Sequence, residues 1–490
     1  MRTATVAFAA SVATSAALTP LVRGLARRWG FLDHALSSRK IHGKPIPRLG
    51  GVAIAAAFFA PLFALYFVNS EVGRRFWSDP MHAWGLFAGG LIIVALGIYD
   101  DVRGSGAKLK FAVQFGVAAL MFWFGFRIEI ISNPFGGAIS LGVLALPFTM
   151  LWIAGVINAM NLIDGLDGLA GGVAFIAVAS TFAVSAMRGE PLMMLFSAAM
   201  AGAVLGFLFY NFNPATIFMG DTGSMFLGFV LATTSIKSSQ KGSMAVSLVV
   251  PIIALGLPIA DTLLAMVRRG IRGAPLFSAD RGHIHHRLLN LGLSQRQAVV
   301  VLYASCLVLG SLAVAMLYAT PTQAVWFLGA LALVALLALR KLGFLNLGSL
   351  KRILEDRRRN FQMRSAVKRA GTALRTAQTE DDVLSALRQG AQAVGAYRAS
   401  LKDLDRAEAA LQGFGADAKK ADDLLSARFS VAGERPGGKN LILTWNDGRS
   451  EVDRDTEIAV ETLCEHLSAA LERVEVERSG SYPLHKSGMA

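Results

Sequence analysis

ALPFTMLWIAGVINAMNLIDGLDGLAGGVAFIAVASTFAVSAMR, residues 145–188, decides the fold. Two apolar runs flank a short segment of Asn, Asp and Gly, and each run approaches the roughly 20 residues a helix needs to cross a bilayer. Working outward, eleven such runs are found, centred near residues 13, 59, 90, 117, 148, 177, 201, 228, 254, 308 and 331. The first, from Ala4 to Val22, is longer than a signal-peptide core and lacks a cleavage site, so it reads as a retained helix. The expected fold is a polytopic α-helical membrane protein of about eleven transmembrane helices, followed by a small cytoplasmic α/β domain.

Composition agrees. Of 490 residues, 54% are hydrophobic and 17% charged, against roughly a quarter charged in soluble domains. An ordinary soluble enzyme, a disordered chain and a disulfide scaffold are thereby excluded. Cys306 and Cys464 are the only cysteines and read as packing residues. Most of the net charge of +14 lies before residue 340. The connections 22–48, 100–110, 158–172, 210–223 and 267–296 together hold more than twice the Lys and Arg of the opposite side, so they are expected to be cytoplasmic, with the N-terminus outside. Localised this way, the charge gives no support to nucleic-acid binding.

Eight acids fall on this face, and all are Asp: Asp33, Asp100, Asp101, Asp164, Asp167, Asp221, Asp261 and Asp280. Short carboxylates at helix ends beside basic loops suggest a divalent cation and phosphates; helix capping is the competing reading of any one of them. Asp100 and Asp101 close the run ending GIYDD. Neighbours on a helix point about 100° apart, so one can face a metal or phosphate while the other orients a Lys or the backbone. In NAMNLIDGLDGLAGG, residues 158–172, Asp164 and Asp167 are expected to share a helical face, with Asn158 and Asn161 as neutral ligands. NFNPATIFMGDTGSMFLG, residues 211–228, places Asp221 at a helix start. There backbone N–H groups and the hydroxyls of Thr222 and Ser224 could meet phosphate oxygens while Asp221 binds a metal. Phe218 could stack on a base or simply fill the core.

Two basic segments complete the pattern. SSRKIHGKPIPRLGG, residues 37–51, carries Lys40, Lys44 and Arg48, with two prolines set among these bases, a stiff loop for lipid headgroups or a lipid phosphate. DRGHIHHRL, residues 280–288, holds His283, His285 and His286 between Arg281 and Arg287. Without a Cys or HExxH partner this cluster favours an anion over zinc.

Together RKIHGKPIPRLGG, GIYDD, NAMNLIDGLDGLAGG, NFNPATIFMGDTG and DRGHIHHRL, in this order, resemble the polyprenyl-phosphate N-acetylhexosamine-1-phosphate transferases, in particular the undecaprenyl-phosphate GlcNAc-1-phosphate branch. The resemblance covers residues 1–340. It implies transfer of a sugar 1-phosphate from a UDP-N-acetylhexosamine to undecaprenyl phosphate, release of UMP, and a need for Mg²⁺, with Mn²⁺ as a substitute. It further implies that Asp221 is the metal ligand and that Phe218 stacks on uracil. By the same resemblance Asp100 and Asp101 serve the lipid phosphate, and Asp164 and Asp167 the nucleotide side. Three histidines are consecutive in the muramyl-pentapeptide branch; here Ile284 interrupts them, which argues against that substrate. His283, His285 and His286 join the catalytic set, and Lys40, Arg48, Asn158, Asn161, Asn211, Phe218, Arg281 and Arg287 the substrate-binding set.

After residue 340 the composition changes. Residues 341–378 read as a basic juxtamembrane helical linker and 379–480 as an α/β domain with helices near 380–394 and 454–476 and strands near 396–402, 426–432 and 439–446, faintly similar to a GAF sensor fold. Residues 481–490 read as a disordered tail. This region leaves regulation, an unidentified partner and homodimerisation open. Two other readings compete with the enzyme: a secondary transporter, disfavoured because only Asp261 lies well inside an apolar run, and a membrane-anchored sensor on a degenerate transferase, disfavoured by the intact Asp clusters.

Overall fold

The structure is a computed structural model and describes residues 1–33, 45–68, 70–132, 138–240, 249–272, 282–342, 344, 347–403, 406–411, 424–431, 440–447 and 451–479. It forms two compact units, Met1–Gly270 with Pro275–Asn346, and Ile271–Ala274 with Leu347–Ala490.

The first unit is helical: α1 (Arg2–Arg28), α2 (Gly50–Ala64), α3 (Glu71–Trp77), α4 (Pro80–Arg103), α5 (Ala107–Trp123), α6 (Ala145–Ile163), α7 (Leu169–Arg188), α8 (Pro191–Asn211), α9 (Gly220–Gln240), α10 (Val249–Ala254), α11 (Gly256–Arg272), α12 (Ile284–Asn290), α13 (Gln295–Ala315) and α14 (Pro321–Lys341). Seven helices among the described residues are long and apolar enough to cross a membrane: α1, α4, α6 with the turn before it, α7, α8, α13 and α14. Several other expected spans are shorter or broken. α2 has 15 residues, α5 has 17, and the run near residue 254 divides into α10 and α11. Two short antiparallel ladders, absent from the sequence reading, pair β1 (Leu32–Asp33) with β2 (Ile46–Pro47) and β3 (Ile130–Ser132) with β4 (Ala138–Ser140).

Burial orders the bundle. The apolar window of α8 is 78% buried, whereas that of α14 is 6% buried, so α8 is central and α14 peripheral within this unit. Helices come close where side chains are small. A Cβ on Gly51 would fall 2.1 Å from the Gly223 nitrogen, so α2 meets α9 backbone to backbone. Phe58, Phe207, Phe226 and Phe229 fill the space around these crossings and are fully buried.

The second unit holds α15 (Leu347–Thr376), α16 (Glu380–Ala393), β5 (Arg398–Asp403), β6 (Arg406–Leu411), β7 (Leu425–Ser430), β8 (Asn440–Trp445) and α17 (Arg454–Ser479). Its strands form one antiparallel sheet in the order β6-β5-β8-β7. Leu441, Leu443 and Trp445 alternate along β8 into a core shared with Leu463 and Leu467 of α17, as period two demands of a half-buried strand. Strand β6 was not expected. Residues 481–490 lie outside the described residues, and both cysteines are free and buried.

Candidate active site

α9 begins where α4 ends. Gly220 has φ +68°, and a Cβ there would strike the Asp101 carboxylate, so only glycine admits this approach. Asp101 accepts from the backbone N–H groups of Asp221 and Thr222, at 2.9 and 3.0 Å, and from the Thr222 hydroxyl at 2.7 Å. It is the N-cap of α9 supplied by another helix. The helix-start donors expected to meet phosphate are therefore committed to Asp101. Ser224 is committed as well, donating to Gly220 O at 3.1 Å and accepting from Asn161 Nδ2 at 2.9 Å.

With its own backbone fixed, Asp221 presents its carboxylate to Lys110, which bridges to Asp100 at 2.6 Å. Asp100 also accepts from the Ser105 backbone N–H at 2.8 Å. The adjacent aspartates thus divide: Asp100 holds a lysine, Asp101 holds backbone. Lys110 was counted in the sequence only as a topological charge. A signal was present, because a cation in the first turn of α5 opposes the helix dipole and needs a local partner.

Asp164 and Asp167 are not on a helix but in the turn between α6 and α7, so the shared helical face expected of them does not form. Asp167 accepts from Asn213 Nδ2 and the Ala215 N–H, both at 3.0 Å, and so anchors the turn before α9. Asp164 has no hydrogen-bond or ion-pair partner among the described residues. Burial, together with the charges of Asp221, Asp101 and Asp167, pushes its pKa up to about 8. A carboxylate so placed is complementary to a cation.

The histidine segment closes against this turn. A Cβ on Gly165 would fall 2.5 Å from His285 Nε2, so the imidazole covers the residue next to Asp164. His285 is buried, its Nδ1 has no hydrogen-bond partner among the described residues, and burial with the neighbouring His286 pushes its pKa down to about 4. The ring stacks on His283 at 5.7 Å and meets His286 at 4.3 Å. The Tyr303 hydroxyl of α13 donates to Gly168 O at 2.6 Å and fixes the same turn from behind.

Other expected ligands have hydrogen-bond partners within the chain. Asn158 donates to Gln114 Oε1 at 2.6 Å and Ala154 O at 2.7 Å. Asn211 is buried, its carbonyl accepting from the Gly168 N–H at 3.2 Å and its amide donating to Ile217 O at 2.9 Å. Arg287 donates to Leu342 O and lies 3.8 Å over the Phe344 ring, which ties α12 to the end of α14. Arg48 pairs with Asp33 and is within electrostatic reach of Asp101. Phe218 is partly buried, its N–H donating to Pro47 O at 2.9 Å and its carbonyl accepting from Gly50. Lys40 and Arg281 lie outside the described residues.

Among the described residues no three His, Cys, Asp or Glu side chains form a ready cation cage. The oxygen donors of Asp221 and Asp164 still suit Mg²⁺, which typically takes one or two carboxylates and completes its shell with water and substrate phosphate.

Helices long and apolar enough to cross a membrane thus bring carboxylates, a bridging lysine and a histidine cluster together at their ends, the arrangement of a candidate polar site on a helical bundle. The sequence model of glycosyl transferase family 4 matches residues 83–239, which include Asp100, Asp101, Lys110, Asp164 and Asp221. A *Bacillus subtilis* relative described as a probable undecaprenyl-phosphate N-acetylglucosaminyl 1-phosphate transferase is 43% identical over 300 residues, 61% of this chain and 80% of that protein. A decaprenyl-phosphate N-acetylglucosaminephosphotransferase of *Mycolicibacterium smegmatis* is 35% identical over 65% of this chain and 83% of its own length. The *Escherichia coli* K12 undecaprenyl-phosphate alpha-N-acetylglucosaminyl 1-phosphate transferase is 28% identical over 60% and 78%. This chain belongs to glycosyl transferase family 4.

Proposed function

We propose that this protein transfers N-acetylglucosamine 1-phosphate from UDP-GlcNAc to undecaprenyl phosphate, releasing UMP and forming the lipid-diphosphate-sugar that starts a cell-surface polysaccharide. The observation that carries the reading is the Asp100–Lys110–Asp221 unit beside Asp164, which has no partner among the described residues, with His285 packed on Gly165. The names of its relatives support the substrate pair. An oxygen of the lipid phosphate, ionised at neutral pH, forms the new bond to the sugar-bearing phosphorus as the bond to the UMP oxygen breaks. The reaction needs charge compensation and alignment rather than a covalent step.

Asp221, with Asp164 beside it, would hold Mg²⁺ or Mn²⁺, which when bound neutralises charge on the diphosphate. Asp101 acts one step behind, fixing the helix end that carries Asp221. Lys110 supplies positive charge at the same place. Phe218 offers a ring to the uracil, Arg48 faces the lipid phosphate, and the neutral His285 contributes hydrogen bonding rather than charge. About eleven crossings follow from the apolar runs of the sequence, and an external N-terminus and a cytoplasmic site from the distribution of Lys and Arg. The C-terminal unit then lies in the cytoplasm as a regulatory or docking module.

The test is purified protein with undecaprenyl phosphate, Mg²⁺ and a panel of radiolabelled UDP-sugars, scored as lipid-extractable label. Label is expected with UDP-GlcNAc. No labelled lipid with any UDP-N-acetylhexosamine overturns the reading.

A further inference from the structure

Asp261 of α11 is 2% exposed, and both carboxylate oxygens are used. Oδ2 lies 2.9 Å from His283 Nδ1, and Oδ1 accepts from the Ile284 backbone N–H at 2.8 Å. His283 is buried too, and Asp261 is the hydrogen-bond partner of its ring among the described residues. A buried carboxylate carries a desolvation penalty that an apolar or neutral residue would avoid, and capping one N–H needs only a neutral acceptor. The second oxygen therefore asks for a purpose beyond capping. His283 supplies it. Its ring is parallel to that of His285 within 7°, and His285 lies on the turn carrying Asp164.

We propose that Asp261 is a positioning residue for sugar-phosphate transfer: its carboxylate accepts Nδ1–H of His283 and so fixes the ring orientation and tautomer that the histidine cluster presents to the UDP-sugar. The partner of one ring nitrogen decides what the other can offer, and with Nδ1–H held by Asp261, His283 Nε2 is left as the working atom. This rests on the transfer reading above. The same carboxylate joins α11 to the start of α12, so a shift in α11 moves the cluster as a body.

Asp261→Asn separates the two contacts. An Asn retains an oxygen to accept from Ile284 N–H, but its NH₂ cannot accept from Nδ1–H and favours the opposite tautomer of His283. Expected is a loss of kcat/KM for UDP-GlcNAc of about tenfold to a hundredfold, the scale seen when the carboxylate behind a metal-ligating histidine is removed, with KM for undecaprenyl phosphate unchanged. Asp261→Glu restores part of the activity, and Asp261→Asn adds little to His283→Gln in the double variant. Thermal midpoints measured on the same detergent-solubilised samples separate folding from positioning. An Asn variant with wild-type kcat/KM, a KM for undecaprenyl phosphate raised as much as that for UDP-GlcNAc, or additive effects in the double variant overturn the proposal. Should the Asn variant not fold, a fully active His283→Gln overturns it alone, since Asp261 would have nothing to act through. Wild-type protein that labels no lipid overturns the transfer reading instead.

Discussion

Removing the Asp101 side chain tests whether the second aspartate of the pair acts behind Asp221. Asp101 accepts three hydrogen bonds from the first turn of α9. At ~1 kcal/mol net for each, Asp101→Ala weakens that terminus by about 3 kcal/mol, on the order of a hundredfold in a local equilibrium. Asp101→Asn keeps one acceptor for the Asp221 N–H but sets an NH₂ against the Thr222 donors. It therefore loses two bonds, about 2 kcal/mol or roughly 30-fold. Turnover, read as labelled lipid from UDP-GlcNAc, and the thermal midpoint of the solubilised protein should fall together, with Ala below Asn below wild type. Saturating Mg²⁺ should not rescue either variant. Wild-type stability and turnover in the Ala variant would refute the capping argument. So would an Asn variant that is inactive yet as stable as wild type, because Asp101 would then belong to the chemistry itself.

Asp221→Ala should abolish Mg²⁺-dependent UMP release, and activity retained at saturating Mg²⁺ removes the metal assignment. Lys110→Met leaves Asp100 and Asp221 facing each other without their shared cation and should lower turnover at least tenfold, on the order of a lost charge-assisted contact, with Lys110→Arg recovering part of it in the same assay. The folded His285 has its pKa near 4, below the usual value of about 6.5. The unfolded chain binds the extra proton in that window, so stability is full above about pH 6.5 and falls toward pH 4; thermal melts against pH should show this slope flattened in His285→Gln. Residues 1–346, one compact unit with a few residues of the second, should label lipid at a rate comparable to the full chain, and an inactive truncation would make the C-terminal unit part of the enzyme.

The fold was legible because apolar runs of bilayer length leave a chain few soluble alternatives. The number of crossings was less so. α2 and α5 are short, and the run near 254 breaks where α10 gives way to α11. In the candidate site, Asp221, Asp100 and Asp164 stood out as carboxylates at the ends of apolar helices. Which of their neighbours serve as scaffold was not legible, because the deciding partners are remote in sequence: Thr222 for Asp101, Ala215 for Asp167, Leu342 for Arg287. Asn158 and Asn211 resembled ligands for the same reason, since a polar side chain in an apolar run looks alike whether it meets substrate or a neighbouring helix. Strand β6, read as RAEAAL, carries no β-branched or aromatic residue, and its place in the sheet comes from pairing with β5 rather than from its own preference.

The cap that joins Asp101 to Thr222 spans 121 residues of sequence, and this imposes an order on synthesis. At about 5–20 residues per second, Asp101 waits on the order of 6–24 s before the segment that satisfies it leaves the ribosome. During that interval the Asp101 carboxylate lacks the N–H groups that hold it in the finished fold. A chain broken off before α9 lacks both Asp221 and the cap that fixes it, so on the proposed mechanism an abandoned translation product leaves the lipid carrier untouched.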